Sequence, residues 1–269
     1  MPLYHIVILA IIQGLTEFLP VSSSGHLVLT HHLMGNAGAD LCWKTNRLMD
    51  VAVHVGTLFS VLVYFRKDIL MMITQGLTKN SEGSVLLKHI IIASLPIIIV
   101  GYALQQWQPS LLCLLEVMAW MTLIFGVVLW FADKFDTDKN LKNIQMKDSL
   151  LIGLSQILAL IPGVSRSGIT MTSARFLGFS RTEAARFSLL LSIIAISGAG
   201  SLGGLEIIKE GNVSLGLEIL TAILLSFLSG WIAIHLMMKW LAKSTFKPFA
   251  IYRVILGILL LSLIYSGIL

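Results

Sequence analysis

Two apolar segments are interrupted near their middle by similar stretches, Pro20-Val21-Ser22-Ser23-Ser24-Gly25 and Pro162-Gly163-Val164-Ser165-Arg166-Ser167-Gly168. The arms on either side of each break are too short to cross about 30 Å of hydrocarbon comfortably; they are residues 3–19 with 26–34, and 148–161 with 169–178. Irregular backbone at membrane depth is tolerated only where it is buried in protein or lines a cavity. The sequence therefore predicts two re-entrant helical hairpins.

The composition of the whole chain supports a membrane location. Of 269 residues, 56% are hydrophobic and 12% are charged, with a mean hydropathy of +0.88. This is about half the usual charged share, which excludes a soluble enzyme. Six further apolar runs are long enough to be full spans, at residues 49–65, 85–104, 111–131, 187–208, 219–238 and 249–266. We therefore predict an all-α polytopic membrane protein with a single integral membrane domain, residues 1–269.

The two interrupted segments also indicate an internal repeat. Residues 21–25 align with residues 164–168 at an offset of 143, and the same offset carries the three following spans approximately onto the last three. We divide the chain into repeat one, residues 1–147, and repeat two, residues 148–269. Three crossings separate the hairpins, so the second repeat is expected to have inverted topology, with the two breaks meeting near the midplane.

The basic residues predict the orientation. Fifteen of the nineteen, Arg253 among them, fall on the side of the loop after the first span, and Lys44, Arg47 and Lys209 fall on the other. By the positive-inside rule we expect both termini, and the face from which the first hairpin enters, to lie on the outer side of the membrane. The basic residues punctuate apolar runs, so the net charge of +5 does not indicate nucleic-acid binding. Residues 133–147 are expected to form a solvated loop.

One basic residue lies in a predicted break and one acid in an apolar arm. Arg166 precedes a helix whose free backbone N–H groups and positive dipole end suit a phosphate, and Glu17 lies in the first hairpin. Charges at this depth are costly unless paired, so both are candidate functional residues. Two structural alternatives remain: the break could serve only to end and cap a helix, and the two charges could form a buried pair that pins the hairpins together.

The first hairpin adds further polar groups close to Glu17. Gln13 lies four residues before it, on the same face of a helix, and Ser22, Ser23 and His26 follow within ten residues. A carboxylate, a hydroxyl and an imidazole at this spacing are ingredients of general acid/base or nucleophilic catalysis. The sequence therefore predicts a catalytic group in the first hairpin opposite an anion-binding group in the second.

The motifs in residues 13–26 and 162–170 resemble the two signatures of the bacterial undecaprenyl-diphosphate phosphatases, the bacitracin-resistance family. The stretch Pro248-Phe249-Ala250-Ile251-Tyr252-Arg253 and the length also fit, so the resemblance covers essentially the whole chain. It implies hydrolysis of undecaprenyl diphosphate to the monophosphate and inorganic phosphate on the outer face of the plasma membrane. This reaction recycles the lipid carrier for peptidoglycan and confers bacitracin resistance.

The resemblance also implies roles for individual residues. The family's acid, serine, histidine and phosphate-binding arginine correspond to Glu17, Ser23, His26 and Arg166. The phosphate-binding set then comprises Ser22, Ser165, Arg166, Ser167, Gly168 and Thr170. A divalent cation, Mg²⁺ or Ca²⁺, is implied with Glu17 as a ligand. Gln13 is an auxiliary candidate, because many members have glutamate there, and this difference argues against a two-carboxylate metal site.

Two mechanisms and a second class of protein remain open at this point. Either Ser23 attacks the phosphate while Glu17 takes its proton, or water attacks directly; His26 then protonates the leaving group or activates water. The rival class is an inverted-repeat transporter or flippase for an anionic substrate or lipid. The expected partners are the polyprenyl diphosphate substrate and membrane lipids, with no nucleic acid, and a homodimer is left open.

Overall fold

The fold is described from a computed structural model, for residues 3–33, 47–107, 109–135, 137–209 and 216–268. Lys44, counted above among the outer basic residues, and residue 34, the end of a predicted arm, lie outside these ranges. The described residues form α-helices with three short 3₁₀ helices, at Ser110–Cys113, Leu141–Asn143 and Ile157–Leu160. The α-helices are α1 Leu3–Phe18, α2 Ser23–Leu33, α3 Arg47–Tyr64, α4 Arg66–Gln75, α5 Glu82–Trp107, α6 Leu115–Ala132, α7 Met146–Gln156, α8 Arg166–Phe176, α9 Arg181–Lys209, α10 Leu217–Leu241 and α11 Lys247–Tyr265.

Several of these helices can cross a bilayer. Within the described ranges α5, α6, α10 and α11 are long and apolar enough, and α3 with α4 adds a fifth candidate whose two helices are bent by 75°. Large apolar side chains stay exposed on these helices, for example Ile99 at 67% and Ile255 at 61%, as lipid-facing positions require. The chain is therefore a multi-pass, all-helical membrane protein. Helix α4 was not predicted, since residues 66–75 mix charged and apolar side chains.

Both predicted interruptions are present as breaks between helices. The chain leaves helical geometry between α1 and α2, and again after the 3₁₀ helix Ile157–Leu160, before α8. Ser22 has φ 77° and Ser165 has φ 71°, a left-handed conformation that is rare for residues other than glycine. These two serines are separated by the repeat offset, so the two breaks share a backbone conformation as well as a sequence.

The helices pack in pairs that correspond between the two halves of the chain. Helix α1 packs on α10 as α7 packs on α5, and α3 packs on α10 as α5 packs on α9. At the first of these contacts, a Cβ on Gly14 would lie 2.7 Å from the carbonyl oxygen of Ser226, so only glycine permits this approach. At the second, Gln156 Nε2 donates to the Ala93 carbonyl oxygen at 3.2 Å. Helix α6 packs along α11.

A cluster of ion pairs joins the helix ends on the side predicted to be cytoplasmic. Asp133 is buried and accepts from Arg181 Nε at 2.6 Å and from the Phe246 backbone N–H at 2.8 Å, and its Oδ1 lies 3.7 Å from Arg175 Nε. Lys139 pairs with buried Asp148 at 2.6 Å. The expectation of a solvated loop over residues 133–147 is wrong for Asp133 and Lys139, because Asp133 is buried and Lys139 is paired with buried Asp148.

Candidate active site

Glu17 is the centre of a polar cluster between the two breaks. It lies in the last turn of α1 and is 8% exposed. Its Oε1 accepts from Arg166 Nη2 at 2.8 Å. Its Oε2 accepts from Ser23 Oγ and from Gln13 Nε2, each at 2.8 Å. The carboxylate is therefore held by both hairpins, and a serine hydroxyl points directly at it.

The helix boundaries explain why these groups meet. Gln13 and Glu17 are four residues apart and so share one face of α1. Ser23 and Arg166 are the first residues of α2 and α8. Two helix N-termini, with their exposed N–H groups and positive dipole ends, thus begin at the carboxylate and can bind an anion there.

The second break is tied to the first by serine hydroxyls. Ser165 caps α8, its Oγ accepting from the Gly168 N–H at 3.1 Å, and lies 3.2 Å from Ser167 Oγ. Ser167 Oγ donates to the Leu19 carbonyl oxygen at 2.9 Å. A Cβ on Gly168 would lie 2.6 Å from Arg253 Nη1, so any larger residue would displace the guanidinium or the loop. The second break is therefore held by the first break on one side and by Arg253 on the other.

The hydroxyl of Thr170, a residue assigned to the phosphate-binding set, bonds to neighbouring protein groups. The Thr170 hydroxyl bonds to the Arg166 carbonyl oxygen at 2.8 Å and to Ser188 Oγ at 2.7 Å, so it joins α8 to α9. Ser22 is 2% exposed, and its carbonyl oxygen bonds to His26. In this geometry Thr170 supports the helix that carries Arg166, while Ser22 orients the imidazole.

His26 is fixed through both ring nitrogens. Nδ1 lies 2.7 Å from the Ser22 carbonyl oxygen, and Nε2 lies 2.6 Å from the Tyr252 hydroxyl. Because a carbonyl can only accept, the neutral ring carries its proton on Nδ1, and Nε2 keeps the lone pair. The imidazole is thus presented as a base through Nε2.

Arg253 is the charged residue that the sequence reasoning missed. It was counted as a cytoplasmic orientation signal, but it is 0% exposed, and its guanidinium lies between the two breaks. Nη2 donates to the Gly163 carbonyl oxygen at 2.7 Å, Nε to that of Thr122 at 3.2 Å, and Nη1 to that of Pro20 at 3.5 Å. Its position five residues inside an apolar run was a usable signal, since an intramembrane ionisable residue is a functional-site candidate.

The cluster can contribute only part of a metal site. Within the described ranges no group of three or more His, Cys, Asp or Glu side chains is placed to hold a metal ion. Glu17 is the single carboxylate of the cluster, and beside it Gln13 Oε1 is a buried oxygen without a hydrogen-bond partner. Magnesium often binds through one or two carboxylates plus substrate phosphates. Glu17 and Gln13 would therefore supply at most two oxygen ligands, which fits a divalent cation whose remaining ligands are water or phosphate oxygens.

The fold and the cluster define a class: a multi-pass helical membrane protein with a carboxylate, a serine and an arginine brought together by two helix breaks. Residues 6–259 match the family described as Bacitracin resistance protein BacA. The chain belongs to this family.

Similar proteins cover nearly the whole chain. A protein of Hahella chejuensis is 46% identical over 267 residues, 97% of this chain and 98% of that protein. One of Saccharophagus degradans is 45% identical over 271 residues, and one of Alteromonas mediterranea is 42% identical over 273, covering 98–99% of this chain and 99–100% of each relative. All three are named undecaprenyl-diphosphatase.

Proposed function

We propose that this protein hydrolyses undecaprenyl diphosphate to undecaprenyl phosphate and inorganic phosphate, and so recycles the lipid carrier of cell-wall synthesis. The observation that carries this proposal is the Glu17 carboxylate, bonded at 2.8 Å to both Ser23 and Arg166. A transporter needs an anion-binding arginine but not a hydroxyl directed at a carboxylate. The names of the relatives support the same reaction, and the family's description connects it with bacitracin resistance.

In the proposed mechanism Arg166 and the N-terminus of α8 bind the terminal phosphate. The guanidinium has five N–H donors, and its bond to Glu17 uses one nitrogen, Nη2. Ser23 Oγ attacks phosphorus in line while its proton passes to Glu17 Oε2, which is already within hydrogen-bond reach. The bond from phosphorus to the bridging oxygen breaks, and the lipid monophosphate leaves with that oxygen. A phosphoserine remains.

Water then hydrolyses the phosphoserine, and His26 acts as the general base. Nε2 of His26 holds the lone pair that accepts the water proton, because Nδ1 is committed to the Ser22 carbonyl oxygen. The hydroxide forms the new bond to phosphorus, Ser23 Oγ leaves, and Glu17 returns the proton to it. Inorganic phosphate departs, and His26 releases its proton to solvent. A divalent cation bound by Glu17, Gln13 and the diphosphate would neutralise charge on the phosphates.

The proposed setting is the bacterial inner membrane, with six spans, two inverted repeats, both termini outside and the site open to the outer face. The distribution of basic residues supports this orientation. With buried Arg253 left out, fourteen lysines and arginines lie on the predicted cytoplasmic side and three on the outer side. The matching helix pairs and the shared conformation of Ser22 and Ser165 support the repeat. Cysteine accessibility at Lys134 and Glu116, at opposite ends of α6, tests the orientation.

The direct test is phosphate release from undecaprenyl diphosphate by the purified protein in detergent, with Mg²⁺ or Ca²⁺. Glu17→Gln keeps the shape of the side chain but removes the base, so we expect a loss of at least about 100-fold. Glu218→Gln, an exposed glutamate at the start of α10, is the matched control and should retain full activity. Absence of turnover in the unmutated protein with either cation would favour the transporter.

Ser23→Ala separates the two nucleophiles. Loss of turnover is expected if Ser23 attacks, and a phosphoserine trapped by rapid acid quench of the unmutated protein should carry the label of the terminal phosphate. Wild-type turnover in Ser23→Ala would leave water as the nucleophile with Glu17 as its base.

A further inference from the structure

We propose that Tyr252 is a positioning residue for His26, holding the imidazole in the orientation and tautomer that the second step of the reaction requires. The inference rests on the proposed phosphatase function. Its basis is the 2.6 Å contact between the Tyr252 hydroxyl and His26 Nε2, which joins α11 to the first hairpin.

The direction of this hydrogen bond follows from the other nitrogen. Because Nδ1 of the neutral ring donates to the Ser22 carbonyl oxygen, Nε2 can only accept, and the phenol must be the donor. Two bonds at opposite edges of the ring fix its rotation about the Cβ–Cγ bond. The rings of His26 and Tyr252 are nearly parallel, at 9°, with centroids 5.7 Å apart. The phenol therefore sets the direction in which Nε2 faces.

The charged surroundings of His26 do not supply a competing partner for Nε2. The neighbouring guanidinium, Arg253, follows Tyr252 in α11 and donates to the carbonyl oxygens of Gly163 and Thr122. Arg166 donates to Glu17. In the part of the chain that the structure describes, both guanidinium groups donate to acceptors other than Nε2, and the Tyr252 hydroxyl is the group bonded to Nε2.

The position of Tyr252 makes the hydroxyl testable without disturbing the fold. The side chain is 44% exposed, and its ring lines a surface cavity of about 600 Å³ together with Lys247 and Ile251. Phenylalanine retains the ring and its packing, so Tyr252→Phe removes only the hydrogen bond. Tyr265→Phe is a matched control, because that hydroxyl, on the same helix, donates to Glu116 instead.

The kinetic experiment is phosphate release from undecaprenyl diphosphate. Loss of one neutral hydrogen bond predicts a fall in kcat of about 3- to 10-fold in Tyr252→Phe, with KM unchanged, and no change in Tyr265→Phe. In a His26→Gln background, Tyr252→Phe should cause no further loss, because the residue acts through the imidazole. Wild-type kcat in Tyr252→Phe, or an equal loss in both backgrounds, would overturn the proposal.

A second measurement does not depend on activity. In protein labelled with ¹⁵N-histidine, the His26 resonances are assigned by their disappearance in His26→Gln. We expect an Nδ1–H tautomer, with an Nε2 resonance that moves toward the position of an unbonded ring nitrogen in Tyr252→Phe and stays in place in Tyr265→Phe. An unmoved Nε2 resonance would refute the contact. If the unmutated protein released no phosphate, the proposed function would fail, while this spectrum would still decide whether the Tyr252 hydroxyl bonds to His26.

Discussion

Gly168→Ala tests whether the two breaks are locked together by Arg253. The added Cβ would lie 2.6 Å from Arg253 Nη1 and 3.0 Å from Ser165 Cβ, against about 3.5–4.0 Å for an ordinary contact between carbon atoms. The guanidinium cannot retreat freely, because Nη2 is bonded to the Gly163 carbonyl oxygen at 2.7 Å. Either this bond or the start of α8 must move. Overpacking of this kind costs about 1–3 kcal/mol.

If the cost falls on the loop that positions Arg166, kcat/KM for phosphate release drops by about 5- to 150-fold. The apparent melting temperature in detergent should fall as well. Gly101→Ala is the matched control, because its Cβ would meet only Leu160 Cδ2, at an ordinary 3.6 Å, inside α5. Equal activity and equal melting temperature for the two variants would show that Gly168 and Arg253 are not in the contact described.

Three further changes and a chelation experiment address other parts of the structure. Arg166→Lys keeps the charge but loses the planar fork, and we expect kcat to fall about 10²- to 10³-fold in the phosphate-release assay. Ser167→Ala removes the bond to the Leu19 carbonyl oxygen and should lower the free energy of unfolding in detergent by about 0.5–1.5 kcal/mol. Asp133→Asn breaks a buried ion pair with Arg181, so about 3–5 kcal/mol should be lost, seen as an earlier thermal transition with the site chemistry intact. Chelation of divalent ions should reversibly abolish turnover without lowering the melting temperature, since few protein ligands are available to hold the ion; a large thermal shift would contradict a cation that enters with its substrate.

Much of the architecture could be predicted because each membrane-spanning helix requires a continuous apolar run, and such runs and their interruptions are recognisable from the local sequence. Proline, glycine and serine within apolar runs indicated where helices break, and those breaks are present before Ser23 and Arg166. Because charged residues are rare in the apolar segments, Glu17 and Arg166 could be identified as candidates. Arg166 Nη2 lies 2.8 Å from Glu17 Oε1. Their catalytic roles remain predictions.

The partners that complete the cluster depend on tertiary packing, which sequence spacing does not encode. Arg253 carried a charge that suited the orientation rule equally well, and only the packing of α11 on α6 shows that it faces the breaks. Tyr252 lay in a stretch that fitted the family, but nothing indicated a role for its hydroxyl, because an aromatic residue near a span end is ordinary in membrane proteins. Thr170 shared a motif with Arg166, yet its side chain bonds to Ser188.

The contribution of α11 has a consequence for how the protein matures. Tyr252 and Arg253, which hold His26 and both breaks, lie in the last helix of the described chain. Glu17 and Ser23 leave the ribosome more than two hundred residues earlier. The groups contributed by α1 and α2 therefore have no partners from α11 until that helix has been synthesised and has packed against α6. The order of the helices along the chain therefore delays assembly of the cluster until α11 is in place.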